Sequence, residues 1–333
     1  MADSTSKAAR PDKAARSDRA ARPDENRILW EANRLWPRLQ ATSQHGLAVG
    51  ALQPIETIVE QIESGGVRFV VRILANLSRK EKARQQQGKT IPANPFLPYE
   101  PDLYVTDISP THLCLLNKFN VVDHHFLIVT REYEPQENWL TLADFQALAQ
   151  CLLAIDGLAF FNGGKVAGAS QPHKHLQVVP YSDQLTEFPI ETMMTAAKEN
   201  KCKLSDEVQF LPFPFCHAAL PFSFAGNFTS DFTGDALSVA HRLLVGYYQL
   251  LETVGITGSP WKGTQTAGYN FLCTRQWMMI VPRSQEKYAG ISVNSLGFAG
   301  SLLVKNREAL QQLTDVGPVN LLQQVGFSLA PER

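Results

Sequence analysis

Apolar residues recur along this chain with two spacings, one typical of helices and one typical of strands. A helical spacing follows Thr141, which is placed to cap the helix, and it sets five apolar residues on one side: Leu142, Phe145, Leu148, Leu152 and Leu153. The same spacing predicts helices that begin near Asn26, span residues 235–254, and span residues 306–324 with an interruption at Gly317-Pro318.

Short apolar runs bounded by turn residues predict strands between these helices. Residues 67–74 form one such run, and residues 103–106 and 111–116 are expected to pair across the turn between them. Residues 269–283 contain two further strands joined around Thr274-Arg275, which predicts a hairpin. The chain therefore mixes strands with helices.

A glycine-rich loop, residues 162–172, leads into a short predicted strand, residues 173–180. Successive side chains of a strand point to opposite faces, so His173, His175 and Gln177 share one face and the residues between them take the other. Consecutive N–H groups in such a loop form a concavity that suits phosphate oxygens. The stretch therefore predicts a phosphate site beside two imidazoles.

An imidazole beside bound phosphate is suited to nucleophilic chemistry. Its reference pKa of about 6.5 leaves an uncharged nitrogen available at neutral pH. Attack of that nitrogen on phosphorus would give a covalent nucleotidyl-histidine. Gln177 cannot transfer a proton, but its amide can donate a hydrogen bond to a phosphate oxygen or hold the attacking ring. A third histidine would favour hydrolysis, whereas glutamine favours group transfer.

The bare His-x-His pair has two other interpretations, a structural role and metal binding. A zinc site needs further ligands, and neither a Cys-x-x-Cys pair nor a third spaced histidine lies nearby. The glycines of the loop, Ser170-Gln171-Pro172 and Gln177 favour phosphate chemistry instead, so no metal site is predicted.

Composition restricts the class of protein further. The formal net charge of −1 provides no global field for nucleic acid or an anionic membrane, and no apolar run approaches the roughly 18 residues of a membrane span. The five cysteines are scattered without a pattern, as is typical of free thiols in a reducing compartment. We therefore expect a cytoplasmic protein that binds neither nucleic acid nor membrane.

The first 25 residues differ from the rest of the chain. A hexapeptide of alanine, charged residues and proline or serine is repeated over residues 7–12, 13–18 and 19–24. It carries no large apolar side chain, so it cannot bury enough surface to order itself. The aspartate in every repeat argues against a transit peptide, which is poor in acidic residues. We expect a disordered tail.

One long segment carries a resemblance to a known family: Gly168-Ala169-Ser170-Gln171-Pro172-His173-Lys174-His175-Leu176-Gln177. It resembles the active-site signature of the diadenosine tetraphosphate phosphorylases, or ATP adenylyltransferases. These form part of the transferase branch of the histidine-triad superfamily, which also contains galactose-1-phosphate uridylyltransferase. Residues 94–98, 123–125, 269–283 and 294–305 are similar to further segments of the family, so the resemblance covers about residues 26–325.

The resemblance implies an α+β fold in which helices flank a histidine-triad-like antiparallel sheet. Two related halves would form a pseudo-dimer within the one chain, so we expect a monomer or a weak homo-oligomer. The implied divisions are the tail, residues 1–25; an N-terminal catalytic region with the His-x-His-x-Gln motif, residues 26–205; and a C-terminal ATP adenylyltransferase module, residues 206–333.

The resemblance also implies roles for individual residues. His175, the middle position of the motif, would be the nucleophile, with His173 and Gln177 completing the catalytic set. His124 and His125 would lie at the rim of the site. The predicted substrate-binding residues are Asn162, Gly163, Gly168, Ala169, Ser170, Gln171, Lys89, Asn94, Thr274, Arg283 and Lys305.

The implied function is reversible phosphorolysis of diadenosine tetraphosphate to ATP and ADP through an adenylyl-histidine. The expected partners are this dinucleotide, ATP, ADP and inorganic phosphate, with a divalent cation, Mg²⁺, carried by the polyphosphate. Two alternatives stay open: a hexose-1-phosphate uridylyltransferase-like enzyme and a non-catalytic nucleotide-binding protein. The segment 294–305 argues against the first and the intact His-x-His-x-Gln motif argues against the second.

Overall fold

A computed structural model describes residues 32–75, 94–199, 208–221, 236–258 and 262–329. The predicted tail, residues 1–25, and the predicted phosphate contact Lys89 lie outside these described residues.

The centre of the molecule is an eight-stranded antiparallel sheet. Its strands, in spatial order, are β3 (Tyr104–Asp107), β4 (His112–Leu116), β5 (Phe126–Thr130), β7 (His175–Pro180), β6 (Gly157–Gly163), β9 (Tyr269–Cys273), β10 (Trp277–Pro282) and β8 (Ala218–Pro221). The predicted strand pair and the predicted hairpin are confirmed as β3–β4 and β9–β10. Strand β7 therefore lies inside the sheet, hydrogen-bonded to β5 and β6.

Three helices cover one face of this sheet: α1 (Leu35–Val49), α2 (Leu142–Ala154) and α4 (Ala236–Thr253). The predicted Thr141 cap is confirmed, because the Thr141 N–H donates to the Asp144 carboxylate at 2.7 Å. Leu176 and Val178 of β7 pack into the core under these helices. The helical spacing of the sequence thus arises from burial against this face.

A small sheet stands over the other face. It consists of β1 (Thr57–Ser64), β2 (Val67–Leu74) and β13 (Ser301–Val304), with β13 parallel to β2. The remaining elements are the short pair β11 (Lys287–Tyr288) and β12 (Ile291–Ser292), and the helices α3 (Glu191–Glu199), α5 (Ser295–Phe298), α6 (Arg307–Val316) and α7 (Pro318–Val325). The interruption at Gly317-Pro318 is confirmed as the boundary between α6 and α7.

The order of elements repeats across the centre of the large sheet. Helix α2 leads into β6 and β7, while α4 leads into β9 and β10. Strands β6 and β9 are antiparallel neighbours, and α2 packs on α4. The α+β class, with helices flanking an antiparallel sheet, is confirmed. Residues from both sides of position 205 share both sheets, and the division there into two regions stays a prediction.

The helix-covered face contains one buried ionic cluster. Lys174, only 1% exposed, places Nζ 2.7 Å from Oδ2 of Asp144, and the other carboxylate oxygen of Asp144 lies 3.1 Å from His112 Nε2. Burial alone would raise the pKa of the Asp144 carboxyl, but His112 and Lys174 hold that pKa well below its ordinary value. The cluster connects three elements, because His112 lies on β4, Asp144 lies on α2 and Lys174 directly precedes β7.

We expect Lys174→Met to lower the free energy of unfolding by about 3–5 kcal/mol, because it leaves a buried carboxylate without its cation. The measurement is the shift of the urea midpoint followed by tryptophan fluorescence. The control is Arg68→Met, which removes an exposed pair with Glu63 and should cost less than about 1 kcal/mol. Equal shifts for the two variants would contradict the prediction.

Candidate active site

His175 begins strand β7 and is almost fully buried. Its Nδ1 lies 2.8 Å from the backbone carbonyl oxygen of His173, and because a carbonyl only accepts, Nδ1 carries the proton. Nε2 is therefore left with a free lone pair. Burial lowers the pKa of His175 to about 4, although the hydrogen bond to the His173 carbonyl acts in the opposite direction, so the ring is neutral at physiological pH. This is the state that a nucleophilic imidazole requires.

The His173 ring does not line the cavity beside His175, which corrects the prediction that the two imidazoles and Gln177 converge on one patch. Its Nε2 lies 2.8 Å from the Thr130 carbonyl oxygen, and its Nδ1 lies within hydrogen-bond distance of the Asn94 side chain. Asn94, predicted to bind substrate, is thus a partner of this ring. His173 contributes through its backbone carbonyl, which sets the tautomer of His175.

A side chain that the sequence analysis did not single out holds the backbone of His175. The Gln136 amide accepts from the His175 N–H at 2.8 Å and donates to the His175 carbonyl at 3.2 Å and to the Asn162 carbonyl at 2.9 Å. Gln136 lies in an irregular segment before Thr141, where no periodicity or motif marks it.

The glycine-rich loop presents fewer backbone donors than its composition suggests. The N–H groups of Gly164, Ala167, Gly168 and Ala169 all donate to carbonyls between residues 162 and 165. They stabilise the loop itself, so the predicted concavity of consecutive amides over this part is corrected. Beyond them, Ser170 and Gln171 line the cavity, and their contact with substrate stays a prediction.

Gly168 is required by its surroundings. It has φ +88°, and a Cβ there would lie 2.7 Å from the Val293 carbonyl oxygen. It contributes to the cavity wall, whereas Gly163 and Ala169, also predicted to bind substrate, do not. Gly163 ends β6 with Gln265 and the Tyr269 carbonyl packed against it, so its role is in packing.

Asn162 joins the loop to the C-terminal half. Its Oδ1 accepts from Asn270 Nδ2 at 2.9 Å and from the backbone N–H of Ser295 at 2.9 Å. Asn162 also lines the cavity, and its contact with substrate stays a prediction. One residue therefore contacts both the site and the segment that covers it.

Arg283 and Thr274 do not reach the cavity, which corrects both predictions. The Arg283 guanidinium is 3% exposed and donates to backbone carbonyls that include those of Ala167, Val293 and Val325. Its donors are thus occupied in joining Ala167 of the glycine-rich loop to the C-terminal segment. Thr274 follows β9 at the end away from Asn162, because Cys273 pairs with Ala159 while Asn270 pairs with Asn162.

The side chains that do converge surround a cavity of about 1720 Å³ between the large sheet and the small sheet. His175, Gln177 and Asn162 line one wall, and Lys305 lines the other. Phe96 contacts the His175 ring edge-on, with ring centroids 5.3 Å apart. Phe96 also borders the cavity with Tyr99 and Phe119, giving an apolar end that suits a base.

His125 belongs to the same wall as Gln177. Burial lowers the pKa of His125 to about 4, its Nδ1 lies 3.1 Å from Asn117 Nδ2, and its Nε2 has no partner of normal geometry among the described residues. The family resemblance implied a place at the rim; the structure places His125 in the wall beside His175. His124 instead turns toward α1 and bonds Ser43.

The small-sheet wall carries an excess of positive charge. Of the cavity-lining cations in the described ranges, Arg68 pairs with Glu63 and Lys118 with Glu100. Arg72 and Lys305 form no ion pair with any residue of those ranges, and Arg72 Nε is buried without a hydrogen-bond partner there. Burial lowers the pKa of Arg72, so an anion at this wall would be attracted by poorly hydrated charge.

Arg72 was absent from the predicted site, although the alternation of β2 contains the signal. Val67, Phe69, Val71 and Ile73 are buried in the core, so Arg72 must face the other way, toward the cavity. Within the described residues no group of three or more potential ligands is arranged to hold a metal ion, and none of the helices is long and apolar enough to cross a bilayer.

Comparison with known proteins identifies the family to which the chain belongs. Residues 25–196 match the family described as Ap4A phosphorylase N-terminal domain, and residues 211–328 match the family described as ATP adenylyltransferase C-terminal domain. Together the two matches cover most of the chain, and the family resemblance inferred from the motif is confirmed.

Relatives and solved structures agree with these matches. Diadenosine 5',5'''-P1,P4-tetraphosphate phosphorylase 2 of Saccharomyces cerevisiae is 29% identical over 244 residues, which cover 67% of this chain and 72% of that protein. The crystal structure of yeast Ap4A phosphorylase Apa2 has a TM-score of 0.69 at 23% identity and covers 92% of this chain and 98% of its own. The structure of Apa2 in complex with AMP is 25% identical, with a TM-score of 0.65, over 89% of this chain and 98% of its own. The chain belongs to the Ap4A phosphorylase family, whose members are ATP adenylyltransferases, enzymes of the transferase class.

Proposed function

We propose that this protein splits diadenosine tetraphosphate with inorganic phosphate, yielding ATP and ADP, and that His175 carries the adenylyl group between the two steps. The observation that supports this most is the state of His175: a neutral ring of fixed tautomer in the wall of a cavity that is also lined by Gln177 and by two cations that form no ion pair with any described residue. Named relatives and the complex of yeast Apa2 with Ap4A point to the same substrate.

In the first step His175 Nε2 attacks one α-phosphorus. The N–P bond forms as the bond from that phosphorus to the bridging oxygen breaks, and ATP leaves with the bonding electrons. Nδ1 keeps its proton, and the His173 carbonyl stabilises the positive charge that develops on the ring. Gln177 offers an amide donor to the phosphoryl oxygens but no acidic proton, which suits a leaving group that is stable as an anion.

In the second step inorganic phosphate attacks the same phosphorus, the N–P bond breaks, and ADP is released. Reversal of both steps makes the dinucleotide from ATP and ADP. Most of the rate enhancement comes from positioning and from electrostatic stabilisation of the phosphoryl oxygens. A divalent cation, Mg²⁺, would be carried by the polyphosphate rather than by a protein cage.

We place the polyphosphate chain along the small-sheet wall, against Arg72 and Lys305. Both cations line the cavity: Arg72 pairs with Leu303 of β13, and Lys305 directly follows that strand. In the first step the triphosphate departs from the side of the phosphorus opposite His175. In the second step inorganic phosphate attacks from that same side. The same cations can therefore serve both steps.

We also propose that the enzyme works in the cytoplasm and as a monomer or weak homo-oligomer. The cysteines in the described residues are free thiols, as a reducing compartment favours. Both halves of the large sheet come from one chain, so His175 and its surroundings need no second copy.

Product analysis tests the reaction. Diadenosine tetraphosphate with Mg²⁺ should give ATP and ADP only when phosphate is present, and His175→Ala should lower the rate by several orders of magnitude because it deletes the nucleophile. The measurement is anion-exchange chromatography of the products. Release of ATP and AMP without phosphate, or a His175→Ala rate within tenfold of wild type, would contradict the proposal.

The pH dependence follows from the low pKa of His175. Because the ring stays neutral down to about pH 4, kcat/KM should be nearly constant from pH 8 to about pH 5 and should fall only below that, as the nucleophile becomes protonated. The measurement is adenylyl-enzyme formation in single turnovers without phosphate, with circular dichroism to verify folding at each pH. An acid limb centred near pH 6.5 would contradict the low pKa.

Removal of a wall cation tests the placement of the polyphosphate. Arg72→Met should raise KM for diadenosine tetraphosphate by roughly tenfold to a hundredfold, since a hydrogen bond to a charged group contributes about 1.5–3 kcal/mol. The control is Arg307→Met, which removes an exposed cation paired with Glu60 outside the cavity and should leave KM within about threefold. Unchanged KM in Arg72→Met would exclude Arg72 from substrate binding.

A further inference from the structure

Gln136 occupies a gap in the central sheet beside the nucleophile. Strands β6 and β7 pair from Gly157 opposite Pro180 to Phe160 opposite Gln177. In this register the next hydrogen-bonded pair would join Asn162 to His175. The Gln136 amide stands there instead and bonds both strands. A side chain thus replaces one hydrogen-bonded backbone pair of the β6–β7 ladder, at the proposed nucleophile His175.

The orientation of this amide is determined by its partners. The His175 N–H requires an acceptor, so Oε1 faces it at 2.8 Å. The carbonyls of His175 and Asn162 require donors, so Nε2 faces them at 3.2 and 2.9 Å. Gln136 is 1% exposed, and its own N–H donates to the Pro172 carbonyl at 2.8 Å. The amide is therefore fixed before substrate arrives.

We propose that Gln136 is a positioning residue that sets the location and direction of His175 Nε2; the catalytic part of this inference rests on the proposed function. The His175 ring bonds a carbonyl of its own strand, so its orientation follows the backbone of residues 173–175. That backbone is held from the β6 side by the N–H and C=O of His175, and Gln136 bonds both.

Loss of the amide would leave these two buried backbone groups without partners, which is costly. The strands can recover hydrogen bonds by closing the gap, so that His175 pairs with Asn162 directly. The Asn162 carbonyl also accepts from the Gly164 N–H, so it is the His175 side that must move. A displacement of about 1 Å at a reacting atom can cost about 10²-fold in rate.

Substrate binding depends on other walls. The proposed polyphosphate contacts Arg72 and Lys305 lie on the small sheet, and the apolar end is formed by Phe96, Tyr99 and Phe119. Gln136 is not among the residues that line the cavity. Its loss should therefore affect the chemical step much more than affinity.

The test uses the full chain with Gln136→Met, which keeps the length of the side chain and removes the amide. Single-turnover formation of adenylyl-enzyme from saturating diadenosine tetraphosphate should slow by about 10²-fold, while the substrate concentration for half-maximal rate stays within about threefold. Gln136→Asn, which keeps an amide too short to span the gap, should show the same split and covers the case in which the methionine variant fails to fold.

Gln150→Met is the matched control. Gln150 is also a buried glutamine, and it lies on helix α2. Its Oε1 has no hydrogen-bond partner among the described residues. The single-turnover rate of Gln150→Met should stay within about twofold of wild type, since no bond to β7 is removed. A folded Gln136→Met protein with the wild-type single-turnover rate would overturn the proposal, as would a parallel loss of rate and affinity.

A second measurement keeps the inference separate from the proposed reaction. In ¹⁵N-histidine spectra of the free protein, His175 should keep the proton on Nδ1, and Gln136→Met should shift the Nε2 resonance of His175, because the ring moves with the backbone of residues 173–175. No adenylyl-enzyme in the wild type would sink the proposed function while this spectral change still supports the role of Gln136. An unchanged Nε2 resonance of His175 in Gln136→Met would refute that role.

Discussion

Strand β7 must satisfy two environments at once, and the rest of the structure depends on this constraint. It lies inside the large sheet, with β5 and β6 on its two edges, and both of its faces are covered. Lys174, which directly precedes it, points under the helices and meets Asp144, whereas His175 points to the cavity. Since successive side chains alternate, a shift of register by one residue would exchange the two, placing an unpaired lysine at the cavity and an imidazole among the helices. The buried ion pair and the nucleophile therefore fix the same register.

The groups that orient His175 are not among the residues that line the cavity. The His173 ring is bound by Thr130 and Asn94, its carbonyl sets the tautomer of His175, and Gln136 holds the His175 backbone. These contacts restrict the ring before any substrate binds, so less ordering remains for the reaction itself. Burial works in the same direction, because it keeps the ring uncharged and nucleophilic.

The two halves of the chain meet at this site. Asn162 accepts from Asn270 and Ser295, while Arg283 ties the glycine-rich loop to carbonyls of the C-terminal segment. Strand β13 brings Lys305 to a small sheet whose other strands come from the beginning of the described chain. A cavity that receives walls from both halves can surround an extended polyanion. Arg68 and Lys118 pair with carboxylates, whereas Arg72 and Lys305 form no ion pair within the described ranges and can attract it.

The sequence by itself determined the family, the α+β class, the strand and helix pattern, and the central place of His175 and Gln177, because these depend on local periodicity and on one contiguous motif. It could not determine which polar side chains face the cavity. Arg283 and Thr274 resemble phosphate ligands in sequence, but one is saturated by backbone carbonyls and the other follows the far end of its strand. Gln136 and Arg72 belong to no sequence motif. The role inferred for Gln136 follows from its position between strands β6 and β7, and the role inferred for Arg72 follows from the packing of the small sheet over the large one. Such properties arise from contacts between segments distant in the chain, and only the tertiary structure decides them.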